Sequence, residues 1–88
     1  MRLLTIDNNY SVVCEDRNTH GGFSHKATLL YKGRGIEEAK VAYINRTWER
    51  YRFETVLYKL AEQAGRFGKL PQPQLKMFLQ ICKDGWWN

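Results

Sequence analysis

The chain predicts an α+β fold: a small antiparallel sheet of three to four strands followed by two helices packed on one face. Three observations carry that expectation. Apolar residues alternate with polar ones through the first half, the periodicity becomes helical after Tyr51, and no helical stretch lies between the strand-like segments to carry a parallel crossover. The 88 residues leave room for one domain spanning 1–88. A chain of this size buries only about 60–65% of its unfolded surface, so its core is thin. With 43% hydrophobic and 14% aromatic residues, composition lies well above the disordered regime.

Leu3 to Ile6 reads as a short strand closed by the turn-prone Asp7-Asn8-Asn9. From Tyr10 to Asp16, Tyr10, Val12 and Cys14 alternate against Ser11, Val13 and Glu15, the pattern of a half-buried strand. Asn18-Thr19-His20-Gly21-Gly22 reads as a loop. Phe23 to Lys32 is the clearest strand, with Phe23, His25, Ala27, Leu29 and Tyr31 on one face. Lys32-Gly33-Arg34-Gly35 reads as a hairpin loop whose two glycines supply positive φ. Ala39 to Thr47 follows as a strand, and Val41-Ala42-Tyr43-Ile44 is apolar on both faces, which predicts an interior place in the sheet.

At 100° per residue, Phe53, Val56, Leu57, Leu60, Ala64 and Phe67 fall on one helical stripe, while Trp48 and Tyr51 fall off it. Gly65 and Gly68 bracket the helix end, and Arg66 and Lys69 complement its negative pole. Pro73 suits the first turn of a second helix, whose Leu75, Phe78, Leu79 and Cys82 define an amphipathic face closed by Gly85. Trp86-Trp87 then either fold back on the core or stand out as binding anchors.

Charge is unevenly spread. Between Lys40 and Lys69 seven basic residues meet three acidic ones, so four of the net +5 charges sit there, while residues 1–39 balance. Within this segment cations alternate with aromatic rings. Lys40, Arg46, Arg50 and Arg52, with Lys26, Lys32 and the hairpin Arg34, form a candidate stripe for phosphates, and Trp48 and Tyr51 offer rings for stacking. The plainer alternative is a solvated sheet face filled by lysines, with Trp48 plugging the sheet–helix corner. These seven residues, Lys40, Arg46, Trp48, Arg50, Tyr51, Arg52 and Arg34, are the candidate binding site.

Other chemistry finds less support. His20, His25, Cys14 and Glu15-Asp16 lack any zinc-ligand spacing, so no metal is expected. Ser24 and His25 are neighbours on a strand and point to opposite faces, which rules out a direct proton relay between them. The glycine pairs Gly21-Gly22 and Gly33-x-Gly35 neither open a helix nor precede Lys-Ser/Thr, unlike a phosphate-binding loop. The expectation is a protein without catalysis or cofactor. Cys14 and Cys82 lie on apolar faces and are expected to be reduced. With no signal-like or membrane-spanning run, the chain is expected in the cytoplasm, with no membrane partner. A self-paired first strand would give a homodimer.

The string from Lys40 to Leu57, Lys-Val-x-Tyr-Ile-Asn-Arg-Thr-Trp-Glu-Arg-Tyr-x-Phe-Glu-Thr-Val-Leu, resembles a segment in short, mostly uncharacterised proteins of phages and other bacterial mobile elements, and covers about a fifth of the chain. The resemblance implies an accessory protein that binds host machinery stoichiometrically, as anti-CRISPR inhibitors of host defence do. A charge of +5 departs from the acidic DNA mimics among those inhibitors. The expected partner is therefore a host protein or nucleoprotein complex, with direct binding of DNA or RNA as the alternative.

Overall fold

The alternating segments fold as a meander. A computed structural model describes the backbone of residues 2–19, 22–43 and 49–84 and the side chains of residues 2–15, 25–40 and 55–84. Strands β1 (Arg2–Thr5), β2 (Tyr10–Thr19), β3 (Gly22–Tyr31) and β4 (Arg34–Tyr43) form one sheet in that order, each antiparallel to its neighbour. Helices α1 (Glu49–Arg66) and α2 (Gln72–Asp84) follow. This is the α+β arrangement that the change of periodicity predicts. No helix among the described residues is long and apolar enough to cross a membrane.

Register explains the core. Leu4 faces Val12 and Val12 faces Leu29, while Cys14 faces Ala27 and Ala27 faces Ala39, so these six side chains share one face. All are buried, and they join Val56, Leu57, Leu60, Ala61 and Ala64 of α1, and Phe78 and Cys82 of α2, in a single cluster. Both helices therefore cover the same side of the sheet. His25, on the same strand face as Ala27, is buried with them.

Local chemistry sets the joints. Asp7 accepts the N–H groups of Asn9 and Tyr10 on one carboxylate oxygen at 2.8 Å each, which closes the β1–β2 turn. Lys32 and Gly33 have φ of 51° and 83°, the two left-handed residues of a type I′ turn between β3 and β4. The end of α1 is a Schellman motif: Lys69 N–H donates to the Ala64 carbonyl at 2.8 Å, Gly68 N–H donates to Gly65, and Gly68 takes the left-handed position with φ 67°. Pro73 occupies the first turn of α2, where its missing N–H costs no hydrogen bond.

Several expectations are corrected. β2 and β3 extend into the predicted loop as far as Thr19 and Gly22, which face each other, because ladder hydrogen bonds outweigh the turn preference of Asn18 and Thr19; His20 and Gly21 lie outside the described residues. β4 begins at Arg34 rather than Ala39, and it is an edge strand, not an interior one. The expected continuation from Ile44 to Thr47 lies outside the described residues, as do Gly85, Trp86 and Trp87. Gly35 does not serve the turn; it faces Leu30 beside a bulge, and a Cβ there would meet Thr28 Cγ2 at 3.3 Å. The bulge adds Ile36 to the strand, where it packs against the core cluster. Phe67 is 60% exposed, because the chain leaves the helix at Gly68 and Leu70 takes the buried place instead.

Candidate binding surfaces

The face of the sheet opposite the helices carries the charged rows. Glu15 faces Lys26 across β2 and β3, and Lys26 faces Lys40 across β3 and β4. Two like charges so placed have Cβ atoms only ~4.5–5.5 Å apart and repel. Carboxylates relieve the repulsion: Lys26 Nζ lies 3.8 Å from Glu15 and Lys40 Nζ 3.5 Å from Glu38. The half-buried Lys26–Glu15 pair and the exposed Lys40–Glu38 pair both reach solvent, and such pairs contribute about 1 kcal/mol or less, so an incoming polyanion competes with them at little cost.

The edge of β4 is closed from within. Lys59 Nζ donates to the Lys40 carbonyl at 3.0 Å, and Gln63 Nε2 donates to the Glu38 carbonyl at 3.2 Å. A two-residue I′ turn closes on a hydrogen-bonded pair, here Tyr31 and Arg34; alternation then makes Thr28–Glu38 and Lys26–Lys40 non-hydrogen-bonded pairs. The carbonyls of Glu38 and Lys40 consequently point away from β3. Residues one helical turn apart on α1 satisfy two carbonyls one pleat apart on β4, a match of ~6 Å to ~6.6 Å.

The same contacts fix direction. α1 runs back along β4, Lys59 beside Lys40 and Gln63 beside Glu38, so the start of α1 lies near the Tyr43 end of the strand. Arg34 stands at the other end, roughly 30 Å away along a strand rising ~3.3 Å per residue. Of the predicted site residues, Arg34 and Lys40 therefore stand apart on β4. Lys40 lies mid-strand on the outer face beside Lys26, and Arg34 sits at the hairpin. Arg50, Tyr51 and Arg52 begin α1, but their side chains, and Arg46 and Trp48 altogether, lie outside the described residues.

A second group gathers at the hairpin end. The rings of Tyr10 and Tyr31 lie with centroids 5.0 Å apart at 46°. Lys32 Nζ stands 5.3 Å from the Tyr31 ring centroid, and Arg34 faces Tyr31 across the turn. Tyr31, Lys32 and Arg34 line a surface hollow of ≈ 280 Å³. Lys32 N–H donates to the Asn9 carbonyl at 2.7 Å, which ties this turn to the β1–β2 turn. The carboxylate next to it in that turn, Asp7, is held by Asn9, Tyr10 and the Gln74 side chain, and the backbone hydrogen bonds from Asn9 and then Tyr10 lower its pKa below the usual 3.8. Sequence reading named Arg34 and Lys32 here but missed the tyrosines as a pair. The available signal was a ring next to the Lys-Gly turn; pairing it with Tyr10 requires the β2–β3 register.

Among the described residues no three His, Cys, Asp or Glu side chains gather as metal ligands. The groups on offer are cations, phenol rings and amides, which bind anions and planar rings. In comparisons with known proteins, no family model, no curated protein and no solved structure matches the chain.

Proposed function

We propose that this chain is a non-catalytic binding protein that engages a nucleoprotein partner, in its most specific form a phage or mobile-element inhibitor of bacterial host defence. The observation that carries this reading is the Lys26–Lys40 pair on the sheet face opposite both helices, in a chain of net charge +5. Such a face offers cations to a polyanion or an acidic protein patch without needing a nucleophile or a cofactor. Arg46, Arg50 and Arg52 extend the same surplus of charge along the sequence.

The test is capture of nucleoprotein complexes from bacterial extract, with and without nuclease, by the wild-type chain, by K26E/K40E and by R46A/R50A/R52A. Retention by wild type and loss in either variant is the expected result. Equal retention by all three removes this surface from the function. A second reading, a plain DNA- or RNA-binding module, draws on the same open face, since a sheet can lie along a nucleic-acid strand. It predicts binding to naked nucleic acid that falls with salt at a log–log slope of about −0.9 per phosphate contact on duplex DNA. A protein-directed inhibitor has no such requirement.

A further inference from the structure

We propose that the hairpin end of the sheet is a binding site for single-stranded nucleic acid, with a base stacking on Tyr31 and its phosphates held by Lys32 and Arg34. The site is separate from the Lys26–Lys40 face and stands whether or not that face binds anything.

Four observations converge on it. Tyr31 is 37% exposed although His25, Ala27 and Leu29 along the inner face of β3 are buried, and the Lys32 ammonium, which a phosphate can draw away, stands over its ring at 5.3 Å. Tyr10 backs the ring at 5.0 Å and holds its orientation. Lys32 and Arg34, on either side of Gly33, have no carboxylate within ion-pair distance among the described residues, in contrast to Lys26, Lys40 and Arg66. The nearby Asp7 carboxylate is taken up by backbone and Gln74 donors. Finally, Lys32 holds a left-handed backbone, φ 51°, where Gly or Asn is the comfortable residue. The chain keeps a cation there against local preference, the kind of outlier that marks functional positions.

Chemistry selects the ligand. A carboxylate-rich peptide would satisfy the two cations but leave the ring pair unused, and duplex DNA keeps its base faces stacked internally. A single strand presents both an unstacked base and a flanking phosphate within the span of one nucleotide. The surface hollow that Tyr31, Lys32 and Arg34 line, ≈ 280 Å³, has room for one base. As phosphate draws Lys32 off the Tyr31 ring, the base takes its place.

The test is an NMR and anisotropy titration of the full chain with oligo(dT)8, with an abasic phosphodiester of the same length, and with a Glu-rich peptide of equal charge. Oligo(dT)8 is expected to shift residues 10 and 31–34, and to bind about tenfold more tightly than the abasic strand. Y31A should erase that difference while Y31F retains it. R34A should weaken both strands and reduce the salt slope by about 0.7, the value for one phosphate on a single strand. K26A/K40A should leave the shifts at 31–34 unchanged. Equal affinity for the abasic strand or the Glu-rich peptide, no binding, shifts confined to residues 26 and 40, or wild-type affinity in a folded Y31A would each overturn the proposal.

Discussion

Two turn residues show how single positions control this sheet. Gly33, at φ 83°, occupies a region that costs an L side chain about 1–2 kcal/mol. Gly33→Ala is expected to lose that amount in urea denaturation. Lys32 already bears part of such a cost at φ 51°, so Lys32→Gly should gain on the order of 0.5–1 kcal/mol of stability while weakening oligo(dT)8 binding. A variant that gained in both respects would contradict the role given to its ammonium. Asp7 adds a pH dependence. Its folded pKa lies below the ordinary 3.8 because Asn9 and Tyr10 N–H groups stabilise the carboxylate, so its contribution is complete above that value and disappears as pH falls through the lowered one. Asp7→Asn should therefore flatten the acid limb of stability below about pH 4, read by thermal melts across pH. These residues were partly legible: Asp-Asn-Asn and Lys-Gly announce turns, whereas the choice of Gly33 over Gly35 depends on where the ladder closes.

At the level of elements, β4 is the instructive case. Its apolar run read as an interior strand, yet it ends the sheet, and α1 covers its outer carbonyls with Lys59 and Gln63. An edge so covered resists pairing with another chain, and the bulge at Ile36 distorts it further. Lys59→Ala with Gln63→Ala should cost about 1–2 kcal/mol, given ~0.5–1.5 kcal/mol per hydrogen bond. The same double variant should self-associate in sedimentation at concentrations where wild type does not. Phe78, fully buried between the helices and the sheet, predicts a loss of ~3–5 kcal/mol on truncation to Ala. The stripes that placed Val56, Leu57, Leu60 and Phe78 inward were visible as periodicity. Phe67 was not, since a stripe continues on paper after the helix has stopped at its glycine cap.

Among the described residues one core cluster draws on the sheet, α1 and α2 together. Cys14 on β2 and Cys82 on α2 are both 1% exposed in it, which makes them paired reporters. Thiol labelling under native conditions should be slow at both, at similar rates, and should track global unfolding measured by circular dichroism. Faster labelling of Cys82 alone would mean that α2 opens by itself. At this scale the charge pattern also resolves into parts. Among the described residues, β4, roughly 30 Å long, carries a lysine pair with β3 on the outer face at mid-strand and a cation–tyrosine group at the hairpin.

Periodicity and turn chemistry, which are properties of neighbouring residues, were enough to specify strands before helices, inward residues such as Val12, Leu29, Leu60 and Phe78, and an all-antiparallel order. Which strand became an edge, which tyrosines met and how far Arg34 lies from Lys40 depended on register and on the direction in which α1 returns along β4. Those are relations between residues distant in sequence, and only the simultaneous closing of the ladder and the common core sets them.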